Sequence, residues 1–205
     1  MKFDLIVIGA HTGFWLKDEI TKAKGKKLLV EPVPYNLLEL RQNTKNIQNI
    51  FIEESAISNK DEKKLFYSIK RSSINKLKKH WASGIGSFDK EHILNHKSKR
   101  FDVSDLDIDE LSINCLSFSS LLSKYGVTNV EKLIMDVEGY EYNLLKSINY
   151  DSVKIKKILF EKKHFDGTFK EGNKLEEIVN LLKEKGYKIK KIDTENLEAE
   201  KTIFD

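Results

Sequence analysis

The sequence has few of the residues and runs that mark secreted or membrane proteins. It contains one cysteine, Cys115, so an internal disulfide is excluded and a reducing compartment is favoured. The apolar run at residues 5–8 is too short for a signal peptide or a membrane span. We therefore expect a cytoplasmic protein that has no membrane partner.

An excess of charge of one sign is also missing. The chain has 36 Lys and Arg against 32 Asp and Glu, a net charge of +4, and both signs are spread along its length. Such a balance does not favour a nucleic-acid partner. With 40% apolar residues in 205, the composition is typical of a globular chain with one core. We predict a single domain over residues 1–205.

What the sequence does contain is an alternation of short apolar runs with helical patterns. Runs typical of buried strands occupy residues 3–8, 27–31 and 50–53. A helix is predicted after the first of them, at residues 12–23, with Thr12 as its N-cap. The alternation continues towards the C-terminus and predicts an α/β fold with a mostly parallel sheet covered by helices on both faces.

Residues 70–110 depart from this pattern and are predicted to form a variable insert. They are polar and irregular, which is typical of functional lids or of disordered segments. Within them, residues 81–88 combine aromatic side chains, hydroxyls and the glycines Gly84 and Gly86, as a substrate lid would. A disordered insertion with Trp81 packed on the core is the other interpretation.

Unusual residues follow the first two predicted strands. Ligands of open parallel sheets bind beyond the carboxyl ends of the strands, where the strand order reverses. Gly9 and Gly13 have the spacing Gly-x-x-x-Gly, not the Gly-x-Gly-x-x-Gly of dinucleotide enzymes. Glu31 ends the second strand, where a carboxylate can accept hydrogen bonds from both hydroxyls of a ribose. Together they predict an adenosine site, which NAD and S-adenosylmethionine would both fit.

Two further acids, Asp136 and Glu138, follow a later buried strand at alternate positions. The reacting end of the ligand would lie near them. A cationic sulfonium with an amino-acid tail would tolerate this negative charge better than the phosphates of NAD would. The other interpretation is that these acids stabilise the start of a helix.

Six segments, in this order, resemble the FkbM-type methyltransferases, class I enzymes that use S-adenosylmethionine. The resemblance runs from about residue 5 to residue 187, with a gap at roughly 70–110. The segments are Ile8-Gly9-Ala10-His11-Thr12-Gly13, Val30-Glu31-Pro32-Val33-Pro34, Ser55-Ala56-Ile57-Ser58-Asn59-Lys60-Asp61, Cys115-Leu116-Ser117-Phe118-Ser119-Ser120-Leu121-Leu122, Leu133-Ile134-Met135-Asp136-Val137-Glu138-Gly139-Tyr140-Glu141 and Ile158-Leu159-Phe160-Glu161.

The resemblance implies a Rossmann-like, doubly wound sheet of seven strands with the last strand antiparallel. It also implies transfer of a methyl group from S-adenosylmethionine to a hydroxyl oxygen of a sugar, polyketide or other small metabolite. In this sequence Glu31 would hold the ribose, Ser55 and Ala56 would lie near the adenine, and Asp136 and Glu138 would border the methyl donor and acceptor. The residues expected to form the cofactor turn are Gly9, Ala10, His11, Thr12 and Gly13.

One departure from the family pattern concerns the methionine end of the cofactor. Val7 occupies the position where the family usually has an acid. Either another group such as Asp136 replaces that carboxylate, or cofactor binding is weakened. This departure keeps open a non-catalytic module that binds an adenosine cofactor. N-methyl transfer by the same fold is a further alternative, and so is an NAD-dependent oxidoreductase, although the glycine spacing counts against it.

Removing the proton of a hydroxyl acceptor requires a positioned base. His164 is the first candidate, since it follows the end of a strand and its ordinary pKa of about 6.5 suits the task. Glu161 is the second candidate and Asp136 the third.

A metal ion is not predicted. Asp136 and Glu161 could hold a divalent ion, but two acids are a thin shell. His92 and His96 have the i, i+4 spacing of two ligands on one helix face. Because no third ligand accompanies them in the sequence, we predict that both are surface histidines.

Overall fold

The computed structural model describes residues 1–97, 102–163, 165 and 172–201. The helices are α1 (Lys17–Lys22), α2 (Pro34–Thr44), α3 (Arg71–Leu77), α4 (Lys90–Leu94), α5 (Phe118–Lys124), α6 (Glu141–Ser147) and α7 (Asn173–Glu184). The strands are β1 (Lys2–Ile8), β2 (Lys27–Val30), β3 (Ile50–Glu53), β4 (Ala56–Ser58), β5 (Glu62–Ile69), β6 (Gly86–Ser87), β7 (Ile108–Ser117), β8 (Asn129–Met135), β9 (Lys154–Glu161), β10 (Tyr187–Lys191) and β11 (Asn196–Lys201). Two short 3-10 helices cover His80–Gly84 and Asp105–Asp107. Among the described residues, none of these helices has the length and apolar character needed to cross a bilayer.

The main sheet has seven strands in the order β10-β11-β9-β8-β1-β2-β3. Strands β3, β2, β1, β8 and β9 are parallel to one another, whereas β11 pairs antiparallel with both β9 and β10. The predicted seven-stranded sheet with an antiparallel last strand is therefore confirmed. The strand order reverses between β1 and β8, so the carboxyl ends of these two strands mark the switch point at which such folds bind ligands.

Residues along β1 alternate between the two faces of this sheet. Ile6 and Ile8 belong to a core cluster with buried side chains of α5, α6 and α7. Leu5 and Val7 belong to a second cluster, with Leu16 next to α1 and buried residues of α1 and α2. Because both faces are covered by helices, β1 reads as a continuous apolar run, and the predicted doubly wound architecture is confirmed.

The first helix begins later than predicted. The sequence predicts a helix from Thr12, but α1 starts at Lys17 and the intervening residues form turns. His11 has φ +52° and Gly13 has φ +72°. Left-handed residues cannot continue an α-helix, so the helix forms only beyond them. Thr12 is therefore not an N-cap; its carbonyl accepts a hydrogen bond from the Asn43 side chain at 2.8 Å.

The chain between β3 and α5 builds a second sheet that the sequence patterns do not reveal. Its strand order is β4-β7-β5-β6. Residues 70–97 and 102–110 are packed against this sheet rather than irregular. A core cluster beneath them contains Ile69, Leu77, Ala82, Ile85, Ile93, Val103 and Ile108, all buried. These apolar residues are widely spaced in a polar sequence, and only the tertiary fold brings them together.

Candidate functional site

Two adjoining cavities open at the switch point of the main sheet. The inner cleft lies between the ends of β1, β2 and β8 and the small sheet, and it encloses about 520 Å³ when the open solvent at its mouth is included. On the same basis the outer depression encloses about 1290 Å³. The residues that line both of them are Gly9, Glu31, Gly84, Asp136 and Glu138. A ligand in the cleft would therefore meet a ligand in the depression beside the ends of β1 and β8.

The turn after β1 passes very close to the turn after β8. Gly9 has φ +84°, and a Cβ atom at this position would lie 1.8 Å from the carbonyl oxygen of Asp136. Gly9 and Ala10 both donate their N–H groups to the Val30 carbonyl, at 3.0 and 2.9 Å. The Gly13 N–H donates to the Ala10 carbonyl at 2.9 Å. These amides therefore hold the turn itself, and glycine at position 9 permits the close approach of the two turns.

Not every residue of the predicted cofactor turn lines a cavity. Gly9 lines both cavities, and His11 and Thr12 line the depression. Ala10 is fully buried in the core beneath the turn. A Cβ on Gly13 would lie 2.7 Å from the Leu40 side chain, so Gly13 serves the packing of α2.

Glu31 lies at the end of β2 and is the hub of a hydrogen-bond network. Its Oε2 atom accepts from the His11 N–H at 2.9 Å. Its Oε1 atom accepts from the Val33 N–H at 3.0 Å and from the Asn36 amide at 3.2 Å. Burial raises the pKa of Glu31 to about 7, although these hydrogen bonds oppose the rise. The carboxylate is thus fixed in position at the wall of the inner cleft, and its predicted role in binding a ribose stays a prediction.

The two residues predicted near the adenine take different positions. Ala56 lines the inner cleft beside Val33 and Ile57, which gives this end an apolar wall. Ser55 is buried and donates its hydroxyl proton to Glu53 at 2.8 Å. On the opposite wall, Phe66 and Phe88 contact each other edge to face, with ring centroids 5.3 Å apart.

The loop after β8 is shaped by an acid to which the sequence analysis gave no role. Glu141 is fully buried and accepts hydrogen bonds from the N–H groups of Val137 at 2.7 Å and Gly139 at 3.0 Å. Glu138 takes the left-handed conformation, with φ +49°. An acid in the first turn of α6, next to a glycine, is the signal that could have revealed this arrangement. Glu141 thereby presents Asp136 and Glu138 to both cavities.

Negative charge is concentrated around Glu161, at the end of β9. Burial comes first, and the charges of nearby acids second, in raising the pKa of Glu161 to about 9. The nearby acids are Asp136, Glu138, Glu141 and Glu195. At neutral pH Glu161 therefore carries a proton, and a cation bound among these acids would favour its release.

The insert reaches the site through the 3-10 helix His80–Gly84. The Ser83 carbonyl accepts a hydrogen bond from the Asn36 amide at 2.8 Å, and the Ser83 hydroxyl lies 2.7 Å from His11 Nε2. Trp81 lines the outer depression. The segment predicted as a substrate lid thus lies against the network around Glu31.

Two aromatic residues and two acids lie at the outer depression. Phe14 and Trp15, which follow the glycine turn, are 76% and 46% exposed and line the depression. Asp136 and Glu161 line the same depression.

His164 lies outside the described residues, so its predicted role as a base stays a prediction. The interpretation of His92 and His96 as surface histidines is wrong, because both are buried, at 1% and 0% exposure.

Comparison with known proteins agrees with this geometry. The family model described as the methyltransferase FkbM domain matches residues 8–189. No curated protein matches the sequence significantly.

Solved structures with the same fold share little sequence with the chain. The FkbM methyltransferase from Methylobacillus flagellatus KT is 14% identical, with 97% of this chain and 44% of that chain covered and a TM-score of 0.53. The Aeropyrum pernix fibrillarin with natively bound S-adenosyl-L-methionine is 13% identical, with 96% and 66% covered and a TM-score of 0.50. SMU.1697c from Streptococcus mutans, in complex with SAH, is 13% identical, with 97% and 88% covered and a TM-score of 0.51. The chain thus spans less than half the length of the first of these proteins.

The contact at Gly9 gives a first testable prediction. A Gly9→Ala variant should lose at least about 2 kcal/mol of stability, because its Cβ collides with a backbone oxygen and its φ is strained. Gly126→Ala is a matched control: Gly126 has φ +60°, and its Cβ would meet the flexible Met1 side chain at 3.3 Å. Urea unfolding of both variants measures the difference. Equal losses would show that the approach of the two turns is not the constraint.

The raised pKa of Glu161 gives a second testable prediction. The unfolded chain releases this proton near pH 4.5, whereas the folded chain keeps it up to about pH 9. The free energy of unfolding should therefore fall as the pH rises between these values, since the folded state binds more protons. Glu161→Gln should remove this part of the slope and raise the Tm at pH 8, by about 2–4 °C for each kcal/mol regained.

Glu198→Gln, on the neighbouring strand β11, is the control for the same chemical change. Thermal unfolding from pH 5 to pH 9 measures both variants and the unmodified chain. If the slope of Glu161→Gln matched that of Glu198→Gln, the raised pKa of Glu161 would be disproved.

Proposed function

Because the chain belongs to the FkbM methyltransferase family, we propose that it transfers a methyl group from S-adenosylmethionine to a hydroxyl oxygen of a small polar acceptor such as a sugar. The observation that carries this proposal is the union of the two cavities at Gly9 and Asp136. One cavity has the residues that an adenosine needs, and the other has room and polar groups for an acceptor. Their junction is where a methyl group would pass from one to the other.

The inner cleft supports the cofactor assignment. Glu31 offers a fixed carboxylate for the ribose hydroxyls, and the apolar wall of Val33, Ala56 and Ile57 suits an adenine ring. The Aeropyrum pernix protein of the same fold binds S-adenosyl-L-methionine. When bound, this cofactor supplies a methyl group already activated on a sulfonium sulfur.

The acids at the junction suit a cation. Asp136 and Glu138 line both cavities, and Glu161 lies with them in the depression. Their mutual repulsion is relieved when a positive charge binds among them, so the site favours a sulfonium over a neutral or anionic ligand. Asp136 can therefore replace the carboxylate that Val7 does not provide. Val7 itself is buried in the core on the α1 side of the sheet.

The outer depression supports a hydroxyl-bearing acceptor. The exposed rings of Phe14 and Trp15 provide flat apolar surfaces, and carboxylates beside them can accept hydrogen bonds from hydroxyls. Trp81 contributes a third ring from the insert. A sugar ring, apolar on its faces and polar at its rim, matches this combination.

Among the described residues, we assign the base to Glu161. It lines the depression, and the positive charge of the bound donor would lower its pKa from about 9 and release its proton. The ionised carboxylate would then take the proton of the acceptor hydroxyl as the new carbon–oxygen bond forms and the methyl–sulfur bond breaks, with SAH as the leaving group. Asp136, at the junction itself, orients the acceptor.

Binding of the product SAH tests the cofactor site. Glu31→Gln should weaken binding by about 10- to 100-fold, because a neutral amide replaces the double acceptor for the ribose hydroxyls. Glu53→Gln is the control: Glu53 is a buried acid at the end of the neighbouring strand β3, held by Ser55, Tyr125 and Lys124. Isothermal titration calorimetry measures both variants. Unchanged affinity in Glu31→Gln would remove the basis of the cofactor assignment.

Methyl transfer itself tests the reaction. With S-adenosylmethionine labelled in its methyl group, label should pass to sugars with free hydroxyls, and mass spectrometry should find it on oxygen. Label on nitrogen would identify an amine acceptor instead, and cofactor binding without any transfer would identify a non-catalytic module.

The pH profile of that reaction tests the base. The value of kcat/KM should rise with pH until about pH 9, because Glu161 must be ionised in the free enzyme. Glu161→Gln should lower kcat by about 100-fold or more and flatten this rise, although the same variant gains stability at pH 8. If the Glu161→Gln variant kept the full rate, the base would be another residue, and His164 would be the first candidate.

A further inference from the structure

Two histidines of the insert lie next to an acid of the β8 loop. His92 is on α4, and His96 lies in the turn that continues this helix, one turn further along. Their ring centroids are 5.4 Å apart, with the rings nearly perpendicular. His92 Nε2 lies 3.6 Å from Glu138 Oε2. Residues more than 40 positions apart in the sequence thus converge on one point.

The donor atoms of these three side chains have the spacing of a metal site. One nitrogen from each histidine and one carboxylate oxygen of Glu138 all lie within 4.8 Å of one another. Two ligands of a tetrahedral zinc ion lie about 3.4 Å apart, given bond lengths of about 2.0–2.1 Å. The pair formed by His92 and Glu138 already has this separation, and small rotations of the His96 ring and of the carboxylate would complete the set.

The surroundings of the cluster also suit a metal ion. His92 and His96 are buried, and the Glu138 side chain is 17% exposed. Two imidazoles and one carboxylate bind divalent transition metals and leave room for a further ligand. The i, i+4 spacing places both rings on one helix face, as in other histidine metal sites. The backbone of Glu138, at φ +49° in the loop held by Glu141, places the carboxylate beside His92.

We propose that His92, His96 and Glu138 bind a divalent transition-metal ion, with Zn²⁺ as the ion best matched to the donor set. The ion would connect α4 to the loop after β8 and would lie beside the cavities that Glu138 lines. It would thereby fix the insert against the end of the main sheet. The site is formed by the chain alone, so its occupation can be measured without S-adenosylmethionine, although Glu138 also lines the two cavities.

The test measures Zn²⁺ binding to the full chain after treatment with a chelator and dialysis. Calorimetry with Zn²⁺ alone should show one ion bound per chain, and thermal unfolding should show a rise in Tm with Zn²⁺. Co²⁺ as a spectroscopic substitute should give visible absorption bands typical of nitrogen and oxygen ligands. Mg²⁺ should neither bind with this stoichiometry nor raise the Tm, because it prefers oxygen ligands in octahedral geometry.

Two glutamate variants make the test specific. Glu138→Gln should weaken Zn²⁺ binding by at least about 10-fold, since it removes the one anionic ligand. Glu91→Gln is the control, because Glu91 is exposed on α4 beside His92 and the chemical change is the same. His96→Gln should abolish binding, and Glu138→Gln keeps the test valid if that buried substitution prevents folding.

The two glutamate variants distinguish a metal site at Glu138 from unspecific Zn²⁺ binding. Stoichiometric binding lost in Glu138→Gln and kept in Glu91→Gln supports the proposal. No saturable Zn²⁺ binding to the unmodified chain, or equal affinity in both glutamate variants, overturns it. Neither result depends on S-adenosylmethionine, so a failure here would leave the proposed methyl transfer untouched.

Discussion

The close approach of the turns after β1 and β8 is the constraint on which the rest of the site depends. With only a hydrogen atom on the Gly9 α-carbon, the Asp136 carbonyl can lie where a Cβ would otherwise be. This contact fixes the distance between the two strand ends at the switch point. It therefore sets how far the acids after β8 lie from the adenosine side of the cleft. The same turn delivers the His11 N–H to Glu31, so both halves of the site are positioned by one piece of backbone.

The acids at this junction carry a cost in folding stability. Glu31 and Glu161 have raised pKa values, and burial is the largest cause for both. Burial of an ionised acid reduces stability, and at Glu161 the charges of neighbouring acids add to this cost. In the proposed function, the positive charge of a bound sulfonium would offset part of it.

The sequence predicted the frame of the molecule well and its details less well. Strand–helix alternation and the family resemblance indicated the seven-stranded sheet, because strands buried on both faces have a strong apolar signature. Positions at strand ends, such as Glu31 and Asp136, were predictable because topology alone places them at the ligand edge. Ala10 and Ser55 were predicted in the site but point into the protein, since a segment match does not fix side-chain direction.

The features that escaped prediction depend on contacts distant in sequence. The small sheet pairs residues as far apart in sequence as Ala56 and Cys115, and its core is scattered through polar sequence. The burial of His92 and His96 follows from that packing, not from their own helix. The left-handed conformations of His11 and Glu138 could not be predicted from their residue types, whereas a glycine indicates such a turn directly.

Asn36 joins two parts of the protein with a single amide group. Its nitrogen donates to the Glu31 carboxylate and also to the Ser83 carbonyl of the insert. The insert is therefore held to the acid at the end of β2 by the same amide that helps to fix that acid. The contact between His11 and Ser83, at 2.7 Å, is a second link between the same two parts. A wall of the inner cleft and a wall of the outer depression thus depend on one hydrogen-bond network, and a change on one side of it bears on the other.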